Sequence, residues 1–235
     1  MENELINTEE KQQFESKAKY ADMAKKFMVM FVIQIFLICT LVISLIITFA
    51  AKSEIVLIAF GCTSFAVNII YAIILFLLSK YDSEFGIAGL FYILETSFSI
   101  LKLFLPDNSM ALLMSLLNAV FSFLYLLKFT NAMSSRFLPV DASLSDSWDT
   151  YRKVNIYIIA TSIGCAVLAF IPGINILAGI VAILCAIAAI GLLVWELVLQ
   201  FNSSKAMKAF ANKPDEPPAD SASVTPLVTY ENPVE

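Results

Sequence analysis

The chain contains no histidine, only seven glycines and few charged side chains. Without an imidazole, Ser/His/Asp and Cys/His nucleophile pairs, zinc-protease helices and histidine proton relays are excluded. The glycines are scattered, so neither a phosphate-cradling Walker loop nor a Gly-rich dinucleotide fingerprint can be assembled. Every Asp lies outside the long apolar runs, which removes paired intramembrane aspartates as a catalytic device. These absences predict a protein that is not an enzyme and that carries no metal and no cofactor. Charged residues are 15% of the chain and hydrophobic ones 59%, whereas soluble domains are about a quarter charged and about half apolar. A water-soluble globular fold is therefore excluded. The four cysteines, Cys39, Cys62, Cys165 and Cys185, fall inside apolar runs without the short paired spacing of metal or redox sites, and read as small buried fillers.

The formal charge is -5, and its source is local. Asp215, Glu216, Asp220, Glu231 and Glu235 follow the last basic residue, Lys213, so the remainder of the chain is nearly neutral. Nothing in this distribution points to nucleic acid.

What is present is a series of apolar runs. A helix crossing about 30 Å of hydrocarbon at about 1.5 Å per residue needs about 20 mainly apolar residues. Six runs qualify: 27–50, 55–78, 85–105, 110–129, 154–171 and 174–201. The first has no cleavage signature behind it and reads as a retained anchor. Cytoplasmic segments hold the excess of Lys and Arg. With the N-terminus inside, Lys11, Lys17, Lys19, Lys25, Lys26, Lys80, Lys128, Arg136, Arg152, Lys153, Lys205, Lys208 and Lys213 lie inside, and only Lys52 and Lys102 lie outside. The expectation is an all-α, polytopic transmembrane helix bundle: six spans in three hairpins, N-in and C-in, in the cytoplasmic membrane of the cell.

The domain expectation follows the composition. Residues 1–26 form an amphipathic leader, with Asn7 and Glu10 at capping-box spacing. Residues 27–130 form a four-helix unit, 131–153 a long cytoplasmic loop, and 154–201 a final hairpin. Residues 202–235 form a cytoplasmic tail, rich in Pro, Ser, Asp and Glu toward its end and expected to be disordered. Ala160 with Gly164, and Ala178, Ala182 and Ala186, have the small-residue spacing that lets helices approach closely.

Polar residues within the spans are the candidate site. Tyr92, Glu95, Ser99 and Lys102 recur every three or four residues and so share one helix face, as do Ser115, Asn118, Ser122 and Tyr125 in the next span. Gly61, Ser64, Asn68 and Tyr71 form a third stripe. A hairpin turning about Asp107 sets Tyr92 opposite Ser122, Glu95 beside Asn118 and Ala119, and Ser99 opposite Ser115. A carboxyl near the bilayer midplane costs about 3 kcal/mol on insertion scales, which makes Glu95 a functional candidate. The same groups also serve as interhelical hydrogen-bond glue. Lys102 is expected to snorkel toward Asp107, and Glu196 with Trp195 to anchor the inner interface.

Two functional expectations follow. One is a non-catalytic accessory protein (a subunit, a sensor or an immunity-type protein) whose partners are the lipid bilayer and either another protein or a second copy of the chain. The other is a small transporter or channel with a polar seam made of Asn68, Tyr92, Glu95, Ser99, Ser115, Asn118 and Ser122.

Overall fold

The computed structural model describes residues 2–51, 54–105, 108–168, 171 and 175–213. The expected disordered end of the chain, 214–235, and Asp107 lie outside the described residues. The architecture is all-α, with no strand among the described residues. Its helices are α1 (Glu2–Ala51), α2 (Glu54–Leu78), α3 (Ser83–Leu101), α4 (Asn108–Phe137), α5 (Ala142–Leu168) and α6 (Asn175–Ala211), with one 3-10 turn, Lys102–Phe104, closing α3.

Five of the six helices are long and apolar enough to cross a membrane. Among the described residues α5 does not reach that measure, because its first half carries Asp146, Asp149, Arg152 and Lys153. Two expectations about the chain's irregular parts are corrected. Asn7 is not a helix cap, since α1 starts at Glu2 and runs through it without interruption into the first apolar run. Residues 131–153 are not one long loop, because α4 and α5 continue into them and leave only the turn from Leu138 to Asp141. The turn has local causes. Pro139 has no N–H to continue α4, the Asp141 N–H returns to the Phe137 carbonyl at 2.7 Å, and the Asp141 carboxylate accepts from the Leu144 N–H at 3.1 Å, capping α5. Asp82 caps α3 in the same way, accepting from the Glu84 N–H at 3.0 Å.

Each helix packs against its neighbours in the chain, and α6 closes the circle against α1. The bundle is a ring in chain order, so the last two helices do not stand apart from the first four. The core lies at the end of the ring where the lysines cluster. It is built at helical spacing from Met23, Phe27 and Met30 of α1, Tyr71, Leu75 and Leu78 of α2, Phe129, Met133 and Phe137 of α4, and Leu144, Trp148 and Tyr151 of α5. Phe85 of α3 and Met207 of α6 complete it. Toward the other end the helices expose large apolar side chains such as Ile46, Leu116, Ile163, Ile183 and Ile190, as expected of surfaces that face lipid.

Two departures from even packing matter. The α2–α3 contact is closest at two glycines: a Cβ on Gly86 would lie 2.9 Å from Ser79 Cβ, and one on Gly89 would lie 3.2 Å from Leu75 Cβ. By contrast, Ala160, Ala182 and Ala186 line an apolar crevice of about 760 Å³ between α4 and the α5–α6 pair, and a Cβ on Gly164 would meet nothing within 4 Å. The small residues of the final hairpin therefore widen a crevice instead of drawing helices together at these positions.

Candidate functional site

Polar side chains from all six helices meet just beyond the aromatic core. The centre is the Glu196 carboxylate of α6. Its Oε1 accepts from Gln34 Nε2 of α1 at 2.8 Å and from Gln200 Nε2, one turn further on α6, at 3.2 Å. Its Oε2 accepts from the Tyr151 hydroxyl of α5 at 2.9 Å. Hydrogen bonds to a carboxylate are stronger than those between neutral groups, and three of them offset much of the cost of leaving water. Glu196 is thus a partly buried junction of three helices, which corrects its expected role as an interface anchor.

From this junction the network continues across the ring. Gln200 Nε2 also reaches the Tyr71 hydroxyl of α2 at 3.3 Å, and Tyr71 shares a hydrogen bond with the Tyr125 hydroxyl of α4 at 3.1 Å. The Tyr92 ring of α3 packs between them, with centroids 4.9 Å from Tyr71 and 4.9 Å from Tyr125. The Tyr92 hydroxyl donates to Asn68 Oδ1 of α2 at 2.7 Å. Beneath this layer Tyr125 stacks on Phe129, Phe129 meets Trp148 edge-on, and the Trp148 indole donates to Ser203 Oγ at 3.0 Å. The tyrosines therefore carry apolar packing on their rings and polar continuity on their hydroxyls.

Glu95 has a different setting. The Ser122 side chain hydrogen-bonds its carboxyl, while Glu95 Oε2 and Asn118 Oδ1 are buried with no hydrogen-bond partner. Gln200 Oε1 is a third buried oxygen without a donor. Glu95 and Glu196 lie within electrostatic reach of each other. One carboxylate is saturated with donors, and the other is close to empty-handed.

Of the expected seam residues the structure joins Tyr92 with Asn68 and Glu95 with Ser122, and two features differ from the expected arrangement. Tyr92 meets Tyr125 and Asn68, and Ser122 goes to Glu95, so α4 is displaced by about one turn from the expected register. The end of α3 contributes to this shift. A 3-10 residue rises about 2.0 Å and an extended one about 3.3 Å, against about 1.5 Å in an α-helix. Lys102–Phe104 and the extended Leu105 lengthen that arm, and α4 needs extra residues to return to the same depth. The second change concerns Ser99, which faces α2. With Gly61, Ser64, Asn68 and Thr96 it lines a cavity of about 170 Å³, the volume of about five waters. Ser115 lies on α4 one turn from Asn118, and Lys102 is exposed in the 3-10 turn.

Gln34, Tyr151 and Gln200 escaped the sequence reading, and Glu196 was read only as an interface anchor. Glu196 and Gln200 stand one turn apart in an apolar run, and Gln34 interrupts another, so the signal was present in polar residues read singly. Tyr151 fell within the supposed loop. Of the four cysteines, Cys165 is buried, while Cys39 and Cys62 are exposed, which corrects the reading of all four as buried fillers. No group of three His, Cys, Asp or Glu side chains is poised to hold a metal among the described residues. The features together define an all-α protein with membrane-length helices around a buried acidic, tyrosine-rich seam. No family model, curated protein or solved structure matches the chain.

Proposed function

We propose that this chain is a six-span protein of the cytoplasmic membrane, with both termini inside, that moves protons or a small cation along the seam through Glu95. One observation carries the reading: Glu95 Oε2 and Asn118 Oδ1 are buried acceptor oxygens that no donor satisfies. Each unpaired buried acceptor costs about 1–3 kcal/mol, a cost that uptake of a proton or a cation at the carboxyl would relieve. Two oxygens held open are suited to a proton or a cation. The excess of basic residues at the packed end supports the orientation.

The test is flux in proteoliposomes under an imposed proton, sodium or potassium gradient, read with an internal pH or ion indicator. Glu95→Gln, which keeps shape and removes the titratable oxygen, should lower flux at least tenfold while leaving helicity and elution volume unchanged. Wild-type-like flux in that variant would overturn the proposal.

A second reading, the non-catalytic accessory protein, is favoured by the Glu196 junction, whose three donors tie α1, α5 and α6 together as a structural clasp would. It predicts a stoichiometric partner in native membranes after mild extraction. Purification of the chain alone at full abundance would count against it.

A further inference from the structure

On the outer face of the α1–α2 contact, at the lysine-rich end, three ammonium groups surround one tyrosine. Lys80 Nζ lies 4.6 Å from the Tyr81 ring centroid, and Lys19 Nζ and Lys26 Nζ each lie 5.5 Å from it. A cation within about 6 Å of a ring is attracted by its negative face. The ring is held in turn, because the Tyr81 hydroxyl donates to the Asp22 carboxylate, which also pairs with Lys26 and, at 3.0 Å, with Lys80.

The charges do not balance. Asp22 is the only acid paired with this cluster among the described residues. The two acids that follow Tyr81 in the chain have other partners: Asp82 pairs with Arg136 at 3.0 Å and Glu84 with Lys128 at 3.1 Å. Among the described side chains, three ammonium groups stand against one carboxylate, an excess of two positive charges. Lys80 keeps 58% of its side chain exposed, so the charge faces outward. The position along the helices also matters. Lys80 follows the apolar span Ile58–Leu78 by two residues, and Leu77 and Ile73, one and two turns back on the same stripe, are exposed. Cationic heads thus stand at the end of a wall suited to acyl chains, where a bilayer presents its phosphates.

We infer that Lys19, Lys26, Lys80 and Tyr81 form a binding site for the headgroup of one anionic phospholipid, with its phosphodiester against the ammonium groups and its chains along Ile73 and Leu77. The site requires only that this end of the bundle lie at a membrane surface, and it is independent of the transport reading. Free phosphate offers the same oxygen chemistry without the chains, so the two sources separate experimentally.

The full chain, in nanodiscs of phosphatidylcholine with increasing phosphatidylglycerol, is assayed by native mass spectrometry and by thermal unfolding. The wild type should retain one phosphatidylglycerol and gain thermal stability as its fraction rises. The pair Lys19→Gln and Lys80→Gln should weaken retention at least fivefold. The matched pair Lys205→Gln and Lys208→Gln, which removes the same charge from the same end, should leave it intact. Asp22→Asn removes the carboxylate paired within the cluster and should strengthen retention, which provides a reading even if the lysine pair folds poorly. Equal loss in both lysine pairs, equal retention of phosphatidylcholine, full replacement by millimolar inorganic phosphate, or weaker retention in Asp22→Asn would each overturn the inference.

Discussion

Glu196 and Glu95 show how much the surroundings of one residue type decide. Removing the Glu196 carboxylate leaves Gln34, Gln200 and Tyr151 with donors and no acceptor. Glu196→Ala should therefore destabilise the fold by about 2–3 kcal/mol, read as a lowered unfolding midpoint in mild detergent. Glu196→Gln, which keeps one acceptor oxygen, should lose less. Equal midpoints for Glu196→Ala and wild type would remove the junction from the account of stability. Outside the spans, Lys153 and Arg152 hold the Asp149 carboxyl below its ordinary range, and the Ser143 hydroxyl and Leu144 N–H do the same for Asp141. Because both folded values are depressed, the stabilisation is present above the unfolded Asp value of about 3.9 and is lost as pH falls through the folded values. The start of α5 should accordingly loosen in acid below about pH 4, and the fluorescence of Trp148 in a Trp195→Phe background should report it. An emission that stays constant down to about pH 2 would contradict this assignment.

Among the helices, closeness of approach is decided by a few positions. At Gly86 an added methyl meets Ser79 Cβ at 2.9 Å, a distance that real contacts avoid. Gly86→Ala should thus lower the unfolding midpoint although alanine is the better helix former by about 1 kcal/mol. Gly191 has nothing within 4 Å of the same methyl, and Gly191→Ala should be neutral or stabilising. If both substitutions shift the midpoint alike, helix propensity and not the α2–α3 contact governs the outcome. Apolar runs made most of the helices legible in the sequence. The long helical extensions of α4 and α5 were not, because 131–153 is polar on its outer face and its buried face becomes visible only once Trp148 and Tyr151 are seen packed inside. The register of α3 on α4 was legible only to within about a turn, since nothing in the residues announced the 3-10 ending.

For the whole molecule the closing contact is between the first and last helices. Tyr20 meets Phe210 with ring centroids 4.8 Å apart, Phe31 meets Phe201 at 5.3 Å, and Ser204 Oγ donates to the Ala24 carbonyl at 2.8 Å. In a chain whose native cysteines are replaced, Tyr20→Cys with Phe210→Cys should cross-link within one molecule with a short bifunctional thiol reagent. A separate four-helix unit and hairpin would leave that pair unlinked, and absence of the cross-link in folded protein would reject the ring. The sequence by itself determined the solvent and the element type. Long apolar runs without water must satisfy their backbone groups internally, which leaves helices here, and the lack of histidine excluded the imidazole-based devices. It also put Glu95 on one polar stripe of α3 and Asn118 with Ser122 on one of α4, because helical periodicity is local. Only the tertiary structure decided that Glu196 is the junction, that Tyr71, Tyr92 and Tyr125 form one layer, and that α6 closes on α1. Those contacts join residues far apart in the chain, and a single polar residue in an apolar run looks the same whether it meets lipid headgroups or another helix until the helices are packed together.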